Sequence, residues 1–153
     1  AGLLSRAETT RLNALPTASQ NVALREALEL REMIARICYG WLDGKPPAAE
    51  DRQAVERGAV RCIEHQQLRW KGGRLVWEWK PFHGQANAPV LLLAQKAVDL
   101  LTADEPPRLH ACASGTCRWL FLDTSRNRTR RWCNMKTCGN REKARRFTAA
   151  HRN

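Results

Sequence analysis

Apolar residues recur at helical spacing through most of the first hundred positions. Ser5 followed by Glu8 predicts a capping box, with Leu12 and Leu15 continuing one face of a first helix. Pro16 breaks it. Thr17 and Gln20 are placed to cap a second helix, in which Leu24, Leu28, Ile34, Cys38 and Trp41 fall at helical intervals until Gly44-Lys45-Pro46-Pro47. A third helix is expected from about Ala48 to Glu64, with Val55, Ala59, Val60 and Ile63 inward. The period then shortens. Gln67 to Trp70 and Arg74 to Lys80 flank Lys71-Gly72-Gly73 and predict a β-hairpin, with Trp70, Trp77 and Trp79 expected to serve core or cross-strand packing and base stacking as the alternative. A fourth helix opens at Asn87-Ala88-Pro89. Its apolar face is expected to comprise Val90, Leu93, Ala94, Ala97, Val98 and Leu101, and Asp104-Glu105-Pro106-Pro107 to close it as a linker.

Beyond the linker the chemistry changes. Cys112 and Cys117 form one C-x4-C pair, Cys133 and Cys138 a second, and fifteen residues separate them. Two close cysteine pairs flanking a hairpin-length insert can converge on one tetrahedral ion, and four thiolates suit a closed structural Zn2+ site. A pair of disulfides, or redox release of the zinc, would use the same residues. His110 could replace one thiolate, although four already close the shell. Gly115 is expected to tighten the first loop. Arg118 to Asp123 and Arg128 to Trp132 read as the two strands of the insert, and a last helix should start near Cys138-Gly139-Asn140 and run to about Ala150. Trp119, Phe121, Trp132 and Phe147 are the candidate mini-core.

Charge follows the cysteines. The formal net charge is +11, and residues 108–153 hold 12 Lys and Arg against 2 acids, Asp123 and Glu142. The preceding 107 residues are almost balanced. So dense a positive module attracts polyanions. The candidate nucleic-acid contacts are Arg126, Arg128, Arg130, Arg131, Arg141, Lys143, Arg145 and Arg146. Arg141, Arg145 and Arg152 share helical spacing, and Asp123 and Asn140 read as arginine-orienting or capping residues.

The fold expected is α+β: a mainly helical domain with a β-hairpin over 1–107, then a small treble-clef-like hairpin-plus-helix zinc module over 108–153. Histidines at 65, 83, 110 and 151 are scattered, no phosphate-binding glycine loop occurs, and a closed zinc shell leaves no site for an activated water, so no enzyme is expected. No apolar stretch is long enough for a membrane span, and the first residues lack a secretory core. The expected compartment is the bacterial cytoplasm, the expected partner double-stranded DNA, and a homodimer is open. The absence of an initiator Met suggests trimming upstream.

The string Cys138-Gly139-Asn140-Arg141 following Trp132-Cys133 and Met135 resembles the signature of the CGNR zinc finger family. The likeness extends over 109–147, taking in Trp119, Phe121, Asp123, Ser125-Arg126-Asn127 and Arg130-Arg131. The helical region before it is similar to the ABATE domain, which usually precedes this finger and is linked with stress-induced transcription regulation. The resemblance implies a four-cysteine zinc site and a DNA-binding regulator. The other reading is a zinc-stabilised module that meets RNA or an acidic protein.

Overall fold

A computed structural model describes residues 4–82, 84–104 and 108–151. His83, the Glu105-Pro106-Pro107 linker and Arg152 lie outside the described residues. The chain divides into two compact units, one of Ala1–Ile34 with Pro47–Thr102, the other of Ala35–Pro46 with Ala103–Asn153.

The first unit opens with α1, Arg6–Asn13. The Ser5 side chain accepts the Glu8 N–H while the Glu8 carboxylate accepts the Ser5 N–H at 2.8 Å, satisfying two otherwise orphaned donors. Helix α2 spans Thr17–Leu42. Gln20 does not cap it: its amide donates backward to the carbonyls of Asn13 and Leu15, closing the end of α1. Of its buried positions Met33 belongs to the first unit and Ile37 and Cys38 to the second, whereas Leu24 and Leu28 are exposed. Helix α3, Ala49–Glu64, is likewise turned from the expected face. It buries Asp51 and Cys62, with Val55, Gly58 and Ala59 half-buried on the same stripe, and leaves Val60 and Ile63 exposed.

Strands β1 (Gln66–Lys71) and β2 (Arg74–Trp79) pair antiparallel in the register Leu68 with Trp77 and Trp70 with Leu75. Gly72 and Gly73 both adopt positive φ, 55° and 78°, as a two-residue turn matched to strand twist requires. Of the three hairpin tryptophans only Trp79 reaches the core; Trp70 and Trp77 are exposed, with the cross-strand neighbours Leu75 and Leu68 opposite them.

Helix α4, Ala88–Leu101, carries its proline in the first turn, where the missing N–H costs nothing. Ala88, Leu91 and Leu92 join Phe82 in the central cluster, against which Leu4 and Trp79 pack. Leu91 replaces the expected Leu93, which is exposed. The α3–α4 seam is close enough for the wholly buried Cys62 thiol to donate to the Leu91 carbonyl at 3.4 Å. Gln66 on β1 donates to Gln95 on α4 at 3.0 Å, which fixes the hairpin to the helix.

The second unit contains residues 35–42 of α2, β3 (Leu109–Ala111), β4 (Leu120–Leu122) and α5 (Asn140–Ala150). Its hairpin differs from the expected one. β4 pairs antiparallel with β3, Leu109 opposite Leu122, not with the stretch from Arg128 to Trp132. Two features bar that stretch from a ladder with β4. Arg128 has φ 54°, which breaks extended backbone, and the Arg130 N–H is taken by a side chain, the Asp123 carboxylate, at 3.0 Å. The hairpin therefore encloses the first cysteine loop, and α5 follows the second pair, giving an α+β chain with a treble-clef-like module.

Candidate metal centre

The four sulfurs of Cys112, Cys117, Cys133 and Cys138 lie within 4.8 Å of one another. None is in a disulfide. The separations Cys117–Cys133 and Cys133–Cys138 are both 3.7 Å. A tetrahedron with zinc–sulfur bonds of about 2.3 Å has sulfur–sulfur edges of about 3.8 Å. The cage thus has the size and donor chemistry of a Zn2+ site, and the spacing is far too long for disulfides. His110 is not among the grouped ligand atoms; its ring lies beside Phe121, centroids 5.8 Å apart.

Backbone bonds shape both loops. Cys112 N–H donates to the Trp119 carbonyl at 2.9 Å and Cys117 N–H to the Ser114 carbonyl at 3.0 Å. The tight residue of the first loop is Arg118, with φ 51°, rather than Gly115, where an added Cβ would meet nothing. Between the second pair the chain makes a π-helical turn, Met135–Gly139. Asn134 organises it: its side-chain oxygen accepts the amides of Lys136 and Thr137, and its carbonyl those of Cys138 and Gly139. A Cβ at Gly139 would meet the Met135 sulfur, which lies at the end of a flexible, exposed side chain and can turn away.

The loops are joined to each other and to α5. Ala113 N–H donates to the Arg131 carbonyl at 2.9 Å. The buried Ser114 hydroxyl donates to Glu142 at 2.8 Å, and Arg141 donates to the Thr116 hydroxyl at 3.1 Å. Arg145 closes on Glu142 at 3.1 Å. Asp123 is a second hub. Its carboxylate accepts the N–H groups of Ser125 and Arg130. Ser125 foremost, with the Arg130 amide, holds its carboxyl down to about 2. Arg130 folds back, donating to the carbonyls of Trp132 and Cys133 with its guanidinium over the Phe121 ring.

The sulfurs oppose one another electrostatically. Burial raises the Cys112 thiol, but hydrogen bonds from the Ser114 and Cys133 amides and from the Cys133 and Cys138 thiols outweigh it and bring it down to about 7. Burial first, then the adjoining cysteines, push Cys133 up to about 12, and burial also leads the rise of Cys138. One thiolate forms readily and hinders the next; a dication reverses that order by favouring all four.

The aromatic mini-core does not form as expected. Phe121 and Trp132 are half-buried, while Trp119 and Phe147 are exposed and Phe147 stacks on His151. No residue of α5 is buried.

Two family patterns match the chain. The ABATE pattern, described as "Putative stress-induced transcription regulator", matches residues 1–104. The chain belongs to the ABATE family. The CGNR zinc finger pattern matches residues 108–151 of this ABATE protein, which covers all four candidate ligands. No curated protein matches it. The family and the sulfur geometry together identify a zinc finger.

The eight basic candidates of this ABATE protein fall into two sets. Arg130, Arg141 and Arg145 bond to the finger, and Arg131 covers the Trp132 ring at 5.4 Å. Arg126, Arg128, Lys143 and Arg146 are exposed and make no side-chain hydrogen bond or ion pair among the described residues. Sequence reasoning missed the positioning roles of Ser114, Thr116, Asn134 and Glu142. Glu142 is the one legible signal, a lone acid amid a basic helix. No helix among the described residues is long and apolar enough to cross a membrane.

Proposed function

We propose that this protein is a DNA-binding transcription regulator whose zinc finger presents a basic surface to duplex phosphates. The observation that carries the reading is the division of the arginines. Arg130 and Arg141 are used in holding the cage, while Arg126 and Arg128 on the long loop and Lys143 and Arg146 on α5 are exposed and unpaired among the described residues. Solvated cations on a rigid frame suit phosphate contact, because little ordering entropy is lost on binding. Arg131 and Arg145 remain exposed and can join them. Zinc acts here as a staple and not as a reagent: four thiolates leave no open coordination position, and the reading is non-enzymatic.

Six cations meeting six phosphates give a slope of log K against log salt near −5. A gel-shift series with duplex DNA, RNA and heparin at several salt concentrations tests this. Duplex binding that steepens in this way and weakens in Arg128→Ala and Arg146→Ala is expected. Retention of the duplex unchanged by those substitutions, or none at low salt, would reject the reading; a preference for RNA would favour the interaction-module alternative.

A further inference from the structure

The β1–β2 hairpin carries an apolar face that the fold leaves uncovered. The register places Leu68 opposite Trp77 and Trp70 opposite Leu75. Alternation puts all four on one side of the ribbon. Their exposures are 50% for Leu68, 70% for Trp70, 59% for Leu75 and 57% for Trp77. Trp79, two residues on, is the only member of this row that packs against the core cluster. Trp70 and Trp77 are diagonal neighbours, a spacing of about 7–8 Å.

The ribbon is also the basic part of an otherwise balanced unit. Arg69, Lys71, Arg74 and Lys80 stand against Glu78 alone over residues 66–80. Glu78 pairs with Lys71, and Lys80 is bonded to the Glu64 carbonyl. Arg69 and Arg74 have no partner among the described residues. The ribbon is two strands wide, about 5 Å, so arginines rooted on its reverse side can reach around either edge.

Exposed indole with free guanidinium is the chemistry that holds single-stranded nucleic acid. Aromatic faces take unpaired bases irrespective of sequence, and the cations follow the backbone. A duplex keeps its bases stacked inside and cannot use such a face. A second copy of this chain is a poorer occupant, since an isologous pairing of the two faces would bring two positive ribbons together. We propose that the hairpin is a stacking platform for single-stranded DNA, with Trp70 and Trp77 as the base-contacting residues and Arg69 and Arg74 as the phosphate contacts. The platform is separate from the zinc finger and does not depend on the finger's reading.

The test uses the full zinc-loaded chain. Fluorescence anisotropy is read with a labelled twelve-nucleotide oligo-dT and with a mixed-sequence duplex, for wild type, Trp70→Ala, Trp77→Ala, Trp77→Tyr, Trp77→Leu, and the finger variant Arg128→Ala/Arg146→Ala. Both tryptophans are exposed, so their substitution leaves the fold intact, which circular dichroism checks. Each alanine variant should lose at least about fivefold in oligo-dT affinity with little change for the duplex. Tyrosine should retain most of the affinity and leucine should not, because leucine keeps apolar area without a π-face. The finger variant should show the converse preference, so that failure of either reading is seen separately. Equal oligo-dT affinity in wild type and both alanine variants overturns the proposal, as does full activity of Trp77→Leu. Sedimentation showing a dimer that Trp70→Ala dissolves would assign the face to a second copy instead.

Discussion

Replacing Cys138 with serine should unfold the zinc finger and spare α3, α4 and the β1–β2 hairpin. Among residues 108–151 the buried residues are Cys112, Ser114, Asp123, Cys138 and Gly139, with no large apolar side chain among them. A fold this short of core draws its stability from the ion. Structural zinc contributes about 10–16 kcal/mol in finger peptides at neutral pH, so one ligand of four accounts for roughly 3–4 kcal/mol. That corresponds to a fall in zinc affinity of about 100- to 1,000-fold. It is comparable to the ~3–5 kcal/mol that is the most a core of this size supplies without metal. Zinc content by colorimetric chelator release, together with hydrogen exchange resolved by peptide, is the assay. In Cys138→Ser the amides of β3, β4 and α5 should exchange at unprotected rates while α3, α4 and the β1–β2 hairpin stay protected. Cys62→Ser is the control, since Cys62 lies in the other unit and its loss should leave zinc content unchanged. If the Cys138→Ser chain, stripped of metal, still protects β4 and α5, the zinc staple is not what holds this module.

Removing the Glu142 carboxylate with Glu142→Ala strands the buried Ser114 hydroxyl and should loosen α5 by about 1.5–3 kcal/mol, seen as faster exchange in α5 and faster zinc release to a chelator. Gly139→Ala should leave zinc content unchanged, because the exposed Met135 side chain can turn away from the new Cβ; a loss of zinc that adding Met135→Ala restores would refute this. Cys62→Leu should overfill the α3–α4 seam and lower unfolding stability by about 1–3 kcal/mol in urea, with no change in zinc content. Ser5→Ala should cost α1 about 1 kcal/mol by hydrogen exchange. Because the Ser5 hydroxyl, then its amide, lowers the Glu8 pKa, the carboxylate's contribution is complete above the ordinary glutamate range, and it should fade as pH drops through the lowered value.

The zinc ligands were legible because metal chemistry is written in residue type and spacing, and neither depends on long-range packing. Helix positions were legible for a related reason: Ser5 with Glu8, Pro16, Pro46-Pro47 and Pro89 act on their own backbone. What could not be seen was which apolar residues find a partner. Leu24, Leu28, Val60, Ile63 and Leu93 have the right spacing and the right chemistry to be core, yet they are exposed. A helical stripe says that one side of the cylinder is apolar; the neighbour decides where the buried arc lies, and here the α3 arc is centred on Asp51, Val55 and Cys62.

The misassigned strand pairing in the finger comes from a different source. β3 is only three residues long and follows two prolines, too short for any alternation to register. Arg128 to Trp132 looked like its replacement because it lies a turn's length from β4. The decisive competitor was a single carboxylate. Asp123 captures the Ser125 and Arg130 amides, so that segment spends its donors on a side chain and bends back over the cage, delivering Arg130 to the Trp132 and Cys133 carbonyls. The same residue thereby determines which arginines serve the metal site and which remain in solvent. Losing the carboxylate in Asp123→Asn should free the loop of Arg126 and Arg128, and duplex affinity should fall even though no phosphate-contacting side chain has changed. Finger folding and zinc content measured alongside separate the two effects. Retained zinc with lowered duplex affinity supports a pre-organised basic loop, and unchanged affinity with a mobile loop would show that the order of this segment is irrelevant to binding.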